Sequence, residues 1–321
     1  MERYLYDGRT ADYRERIGAA PGAHAWPFSQ ALAANIAIAS LPHLGVQAPV
    51  RARFATLERR FRSAAAYVAS PHGDLYLDDN EWLAEDFLDW SDLTGAHTAR
   101  VRAVAIFNAV VDAWDDVSSH PCSGGVFWTK SPANRDRNTV STVNGAVVGL
   151  RIYAATKQAR YLTWSKRMLA WTDKCMLVSD GLYADHIDLR GTVDGTHWSY
   201  NQGGVIGADV LLYIVTGDTQ ALARAELIAD AALAYFAGRW MSGEPPEFAA
   251  IFFRNLLALA ASDGRADYVS AAESYGDEAW ATARNARTGL FAFHGKTRLL
   301  EQAALVQLYA ALARQPLTSA P

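Results

Sequence analysis

The chain is poor in cysteine, in surplus charge and in long apolar runs, and each shortage removes a class of answer. Its 321 residues include 2 cysteines, Cys122 and Cys175. Neither has the paired spacing of a zinc or redox motif, and one disulfide between them is possible but not expected to hold the fold. Lys and Arg number 30 against 34 Asp and Glu, a formal net charge of −4, so the basic face of a nucleic-acid binder is missing. No stretch reaches the 18 or so consecutive apolar residues of a membrane span. The start, MERYLYDGRTADYRERIG, is charged throughout and lacks the apolar segment of a secretory signal. The expected location is cytoplasmic, or secreted if a leader has been removed. The 8 histidines contain no i, i+4 pair of the zinc-helix type, and no GxSxG elbow or phosphate loop occurs. No metal and no cofactor is expected.

What is present is apolar and aromatic: 50% of residues are hydrophobic and 11% aromatic, with 10 Trp, which excludes a disordered chain. Apolar residues recur at i, i+3, i+4, i+7, and two-residue alternation is confined to short pieces such as SGGVFW. The spacing predicts helices over about 9–17, 27–39, 51–69, 79–94, 97–116, 139–156, 158–176, 200–216, 218–238, 247–262, 265–286 and 298–314. Short links (93–97, 154–158, 215–219, 261–265), three of them with Gly as a C-cap, alternate with long ones rich in Trp, Asn, Asp and Gly (117–138, 177–199, 239–246, 287–297). Gly95 and Gly217 lie 217 − 95 = 122 residues apart, about two hairpins of ~60 residues. The reading is all-α: one domain over 1–321, an (α/α)6 toroid of six hairpins with the long loops at one end, expected as a monomer.

Helices that follow long loops open on polar residues, those after short loops do not. Six inner helices would therefore point their first turns into one mouth. The candidates so placed are Trp26 and Gln30 (WPFSQ), Asn138 and Asn144 (RNTVSTVNG), Trp198, Tyr200, Asn201 and Gln202 (HWSYNQGG), Arg254 (FFRN) and Gln302 (KTRLLEQ), with Trp128 and Asp185 from the long loops. Amides, acids and Arg suit sugar hydroxyls, and Trp and Tyr suit sugar ring faces. Trp128 and Trp198 could instead roof the core. Gly203, Gly204 and Gly207 cost helix propensity, which points either to close helix packing or to ligand access.

The sharpest feature is Asp78-Asp79 in YLDDNEW. Neighbouring Cα atoms are about 3.8 Å apart, so at a loop-to-helix junction both carboxylates can face one cavity as an acid/base pair. N-capping is the structural alternative. A magnesium-binding DDxx(D/E) reading fails because Trp82 holds the second acid position. Asp115-Asp116 sits at a predicted helix end and reads as solvated or as a loop brace.

YLDDNEWLAEDFLDWSDLTG, SGGVFW, RNTVSTVNGAVVGLRIY, DGLYAD, HWSYNQGGVIGADVLLYIVTGD and FAAIFFRNLLALA, in this order, resemble glycoside hydrolase family 76, over about Trp26 to Leu312. The resemblance implies the toroid, an α-1,6-mannanase or related mannosidase, an α-mannan or manno-oligosaccharide as partner, and a retaining double displacement with Asp78 as nucleophile and Asp79 as acid/base. Sequence spacing alone leaves retention and inversion open, since adjacent residues reach either carboxyl separation. The missing leader makes imported manno-oligosaccharides or the mannan core of the cell's own lipoglycans alternative substrates. A silent glycan-binding toroid, an epimerase or an unsaturated-uronide hydrolase would share the fold. An epimerase would need a facing acid/base pair such as two histidines, and a uronide hydrolase more cations than Arg254 and Lys296.

Overall fold

In the computed structural model, which describes residues 1–42 and 47–314, the 3.6-residue period becomes a succession of paired helices. A short α1 (Glu2–Leu5) precedes α2 (Ala25–Ala39), α3 (Gln47–Arg60), α4 (Leu77–Thr94), α5 (His97–Val111), α6 (Thr139–Thr156) and α7 (Ala159–Cys175). The second half holds α8 (Ser199–Thr216), α9 (Thr219–Phe236), α10 (Pro246–Asp263), α11 (Ala266–Thr282) and α12 (Leu299–Leu312). The even-numbered helices each pack on the next, and α12 returns to α2, so six inner helices close a ring. Helices α3, α5, α7, α9 and α11 pack outside it, giving the (α/α)6 toroid with five full-length outer helices to six inner ones among the described residues. Gly95, Gly217 and Gly264 end α4, α8 and α10 with φ of 73°, 76° and 78°. In the fourth short link Lys157 takes the same left-handed role, φ 57°.

Four expected elements differ, one of them the helix expected over 265–286, which ends at Thr282. The helix expected at 9–17 is a hairpin of β1 (Tyr6–Asp7) and β2 (Asp12–Tyr13). The Asp7 carboxylate accepts the Arg9 N–H at 2.9 Å, an Asx-type turn. The wholly buried Tyr13 hydroxyl then gathers Glu2, Asn35 and Arg53 at 2.7–3.0 Å. The helix expected over 51–69 stops at Arg60, and β3 (Arg62–Ser63) pairs with β4 (Ala66–Tyr67). The helix expected to reach 116 ends at Val111. The long connections supply β5 (Asp136–Asn138), β6 (His186–Asp188) and β7 (Val193–Asp194), one antiparallel sheet at the mouth.

One device recurs where a long connection meets an inner helix. The residue four places after the N-cap turns outward and binds the backbone of the preceding connection. Asn80 accepts the Tyr67 N–H at 2.7 Å and donates to the Tyr67 carbonyl at 2.8 Å. Gln202 does the same to Tyr183, 2.9 and 2.9 Å, and Gln302 to Phe291, 2.8 and 2.8 Å. In α6 the Thr142 hydroxyl accepts the Val126 N–H at 2.9 Å. Each carboxamide satisfies an N–H and a C=O that would otherwise be buried without partners.

The connection between α5 and α6 has a second anchor. Arg137, 0% exposed, donates to Asp115 at 2.7 Å and to the carbonyls of Pro121, Cys122 and Asp188. Asp115 thus braces this loop, as the sequence allowed, while Asp116 is exposed. Cys122 and Cys175 are joined by a disulfide that ties the same loop to the end of α7. The ring seam is polar: Gln307 donates to the backbone and side-chain oxygens of Gln30 at 3.0 and 3.1 Å.

The α8 glycines settle the choice left by the sequence. A Cβ on Gly203 would stand 2.7 Å from Cα of Phe252, and one on Gly204 2.8 Å from Val143. Glycine here lets α8 approach its neighbours. Because the obstacle at Gly203 is backbone, Gly203→Ala is expected to destabilise the fold by about 1–3 kcal/mol; a urea melt within ~0.5 kcal/mol of wild type would contradict this.

Candidate active site

Helix α4 begins after Tyr76, whose backbone is extended (φ −95°, ψ 134°). Tyr76 pairs with Thr129, and the Leu77 N–H donates to the Trp128 carbonyl at 2.8 Å. This short pairing brings Trp128 over the first turn of α4, and its indole N–H donates to the Asp78 carboxylate at 3.1 Å. The other Asp78 oxygen accepts the Asp79 N–H at 3.0 Å. The N-cap is Tyr76, so neither aspartate fills the N-cap position.

The two carboxyls sit in unequal surroundings. Burial pushes Asp78 up to about 6, with the Trp128 and Asp79 donors pulling against it. Asp79 is raised well above the usual carboxylate range, by burial first and then by the charge of Asp78. Asp79 is thus the more reluctant of the two to ionise, the kind of asymmetry that pairs of acids use in acid/base chemistry.

Both face a cavity of ≈ 620 Å³ at the mouth of the ring. Trp26, Trp128, Asn138, Asp185 and Tyr200 line it with them. Asp185 is held in place, accepting from Asn201 Nδ2 at 3.2 Å and lying 2.9 Å from His186 Nδ1; this bond raises the His186 pKa. Tyr200 is pushed far up by burial and by the charges of Asp185 and Asp78, so its hydroxyl stays protonated. Asn138 keeps its side-chain oxygen buried, with no hydrogen-bond partner among the described residues. The floor is a small apolar cluster of Trp82, Val140 and Ile251, packed against Trp26 and Tyr200.

The other sequence candidates lie elsewhere. Gln202 and Gln302 are spent on loop backbone, and Gln30 is buried at the ring seam. Asn201 is fully buried behind Asp185. Trp198 rests edge-on against Phe248, 5.5 Å between centroids, outside the cavity lining. Asn144 and Arg254 line a second cavity of ≈ 420 Å³ toward the opposite end of the ring. The reason is axial rise: eight residues below the N-cap side of α10 is about 12 Å down the helix. FFRN is thus the middle of α10, which opens at Pro246. That opening brings Phe248 to the cavity, 4.1 Å from Tyr200, and the sequence reading missed it although it begins the FAAIFFRN motif. Tyr76, Trp82 and His186 were missed likewise, each within three residues of one that was singled out.

The model of glycosyl hydrolase family 76 matches residues 6–313. The chain belongs to that family. Among curated proteins it is 31% identical over 124 residues to a mannan endo-1,6-alpha-mannosidase of Candida glabrata and 31% over 126 residues to one of Saccharomyces cerevisiae. These matches take in 35% and 36% of the chain and 27% of each relative's length, so the chain's match spans about a quarter of those curated proteins. The family 76 mannosidase of Bacteroides thetaiotaomicron superposes with TM-score 0.86 at 23% identity, over 97% of this chain and 94% of that one. An alpha-1,6-mannanase of Salegentibacter sp. gives 0.85 at 20%, over 97% and 95%. An inactive variant of that mannanase, with two neighbouring aspartates changed to alanine, was solved with alpha-1,6-mannotetrose. At these identities the likeness is one of fold.

Glu81, one turn below Asp78, is 0% exposed with neither oxygen hydrogen-bonded among the described residues. Burial, then Asp78 and Glu85, hold it well above the usual range. The folded protein therefore keeps a proton here that the unfolded chain releases above about pH 4.3, so Glu81 opposes folding increasingly as pH rises. Glu81→Gln, neutral at every pH, is expected to have a higher Tm than wild type at pH 8, with the gain shrinking toward pH 5. A gain independent of pH, or none, would remove this account.

Proposed function

We propose that the chain is a retaining hydrolase of α-1,6-mannosidic linkages, with Asp78 as nucleophile and Asp79 as acid/base. The observation that carries it is the unequal pair of carboxyls on the first turn of α4, inside an aromatic-walled cavity. Ionised Asp78 attacks the anomeric carbon while protonated Asp79 gives its proton to the departing oxygen. Asp79, now anionic, takes a proton from water as that water opens the glycosyl-enzyme. The Trp128 N–H limits how far burial raises Asp78, which keeps the nucleophile charged near neutrality. Trp26, Trp128, Tyr200 and Phe248 offer ring faces to a sugar, and Asn138, Asp185 and His186 offer partners for its hydroxyls. The mannan specificity is supported by the names of the curated relatives and of the structural neighbours, including the mannotetrose complex.

The test is mass-resolved product analysis on linear α-1,6-manno-oligosaccharides. Wild type should release shorter mannosides, and Asp78→Asn and Asp79→Asn should each lose about 10²-fold or more in kcat. Full activity of either variant would overturn the assignment. The rate should rise with pH through about 6 as Asp78 ionises and fall at higher pH as Asp79 loses its proton. Trp128→Phe removes a donor that favours the charged form of Asp78, so its acidic limb should move to higher pH; an unmoved limb would separate Trp128 from the nucleophile.

We also propose an oxidising compartment, against the cytoplasmic expectation from the N-terminal sequence, because stable disulfides belong to such compartments. The bond spans a sequence separation of 53, worth up to about 4 kcal/mol of unfolded-chain entropy. Reduction should lower Tm measurably, and an unchanged melt would withdraw the argument.

A further inference from the structure

A second depression adjoins the catalytic cavity, separated from it by the Glu15–Arg16 step. Glu15 lines the catalytic cavity and Arg16, the next residue, lines a cleft of ≈ 470 Å³ together with Ile17, Lys296, Thr297 and Arg298. Three of those five residues are cationic and none is acidic, in a protein whose net charge is −4.

The backbone, not ion pairing, gathers these charges. Arg16 and Arg298 are opposed in an antiparallel bridge, and the Leu299 N–H donates to the Glu15 carbonyl at 2.8 Å. Lys296 is fixed by a tight turn in which it exchanges both backbone bonds with Phe293 at 2.9 and 3.0 Å. The turn's central residues, His294 and Gly295, both have positive φ, 50° and 72°, the two-residue hairpin geometry that needs such angles. Among the described residues the side chains of Arg16 and Lys296 make no ion pair and no hydrogen bond, while Arg298 lies 3.1 Å from Glu301. Glu301 partly offsets the charge of Arg298, which leaves Arg16 and Lys296 as the cations of the cleft without an anionic partner among the described residues. A tetrahedral anion would find guanidinium and ammonium donors and the Thr297 hydroxyl, chemistry suited to phosphate. Ile17, 52% exposed on the same wall, offers an apolar edge to the sugar that carries it.

We propose that this cleft is an accessory subsite for a phosphate ester carried by the mannan chain, so that the enzyme prefers phosphorylated over neutral chains. This rests on the hydrolase reading above. The test compares kcat/KM for α-1,6-mannotetraose with that for the same tetrasaccharide phosphorylated at its reducing or its non-reducing end. Wild type and the Arg16→Gln/Lys296→Gln double variant are run in parallel. Wild type should favour one phosphorylated isomer by about tenfold at low salt. The preference should shrink at 0.5 M salt, a level of order-of-magnitude screening strength, and vanish in the double variant, with the neutral substrate unaffected. Equal rates on all three substrates, or a preference that survives the double variant, would overturn the subsite. If no chain is cleaved, the hydrolase reading fails by itself. Calorimetric binding of the same three oligosaccharides to wild type and double variant then judges the cleft: tighter binding of a phosphorylated isomer, lost in the variant, upholds it, and equal binding overturns it.

Discussion

The mouth of this toroid depends on how each long connection is fastened to the helix that follows it. A loop of about 20 residues lying over a ring of helix ends carries backbone groups that must find partners. Asn80, Gln202 and Gln302 each meet one N–H and one C=O with a single carboxamide, and Thr142 meets one N–H with its hydroxyl. Because the clamp sits four residues into the helix, the connection is held at a fixed height above the first turn. Asp78 and Asp79, the proposed catalytic carboxyls, are on that first turn in α4, so loop and acid are positioned by one local rule.

The loop between α5 and α6 carries the largest share of this burden. It holds Trp128, which touches Asp78, and it is pinned by Thr142, by the buried Arg137–Asp115 pair and by the disulfide. A buried ion pair alone is weak evidence of stability. Here Arg137 also satisfies two carbonyls of this loop and that of Asp188 in β6, and the pair acts as the loop's own small core. The electrostatics of Asp78 therefore reach back, through one indole, to residues well outside the cavity.

Helix period, glycine C-caps and the alternation of short and long links made the ring legible before any coordinates. The bounds of α6, for instance, coincide with those the period predicts. The N-terminal hairpin was not legible, because a charged, helix-compatible stretch was overridden by the burial of Tyr13 and the Asx turn at Asp7. The site residues that reached the cavity, Trp26, Trp128, Asn138, Asp185 and Tyr200, all lie within one turn of an inner N-terminus or in a loop, although Trp198 and Asn201, placed the same way, did not reach it. Those further along failed through helical rise and rotation. Gln202 points outward at the clamp position, Asn144 and Arg254 lie toward the far end, and reading FFRN at 252–255 as the polar opening of α10, although the period already placed its start at 247, passed over Phe248. Polar residues near a helix start signal both clamps and ligands, and one sequence cannot separate the two.

The ring seam joins residues 277 positions apart, Gln30 and Gln307. On the ribosome this contact has no partner until nearly the whole chain has emerged. Hairpins made early can stack on their neighbours, but they form an open arc whose free edge is the apolar and amide flank of α2. The arc gains its last interface all at once, when α12 docks. Local helix pairing is fast, whereas closure carries the full entropic burden of the longest-range contacts in the fold. The unclosed arc is therefore the species that a chaperone would meet, and also the one in which two chains could exchange a final helix.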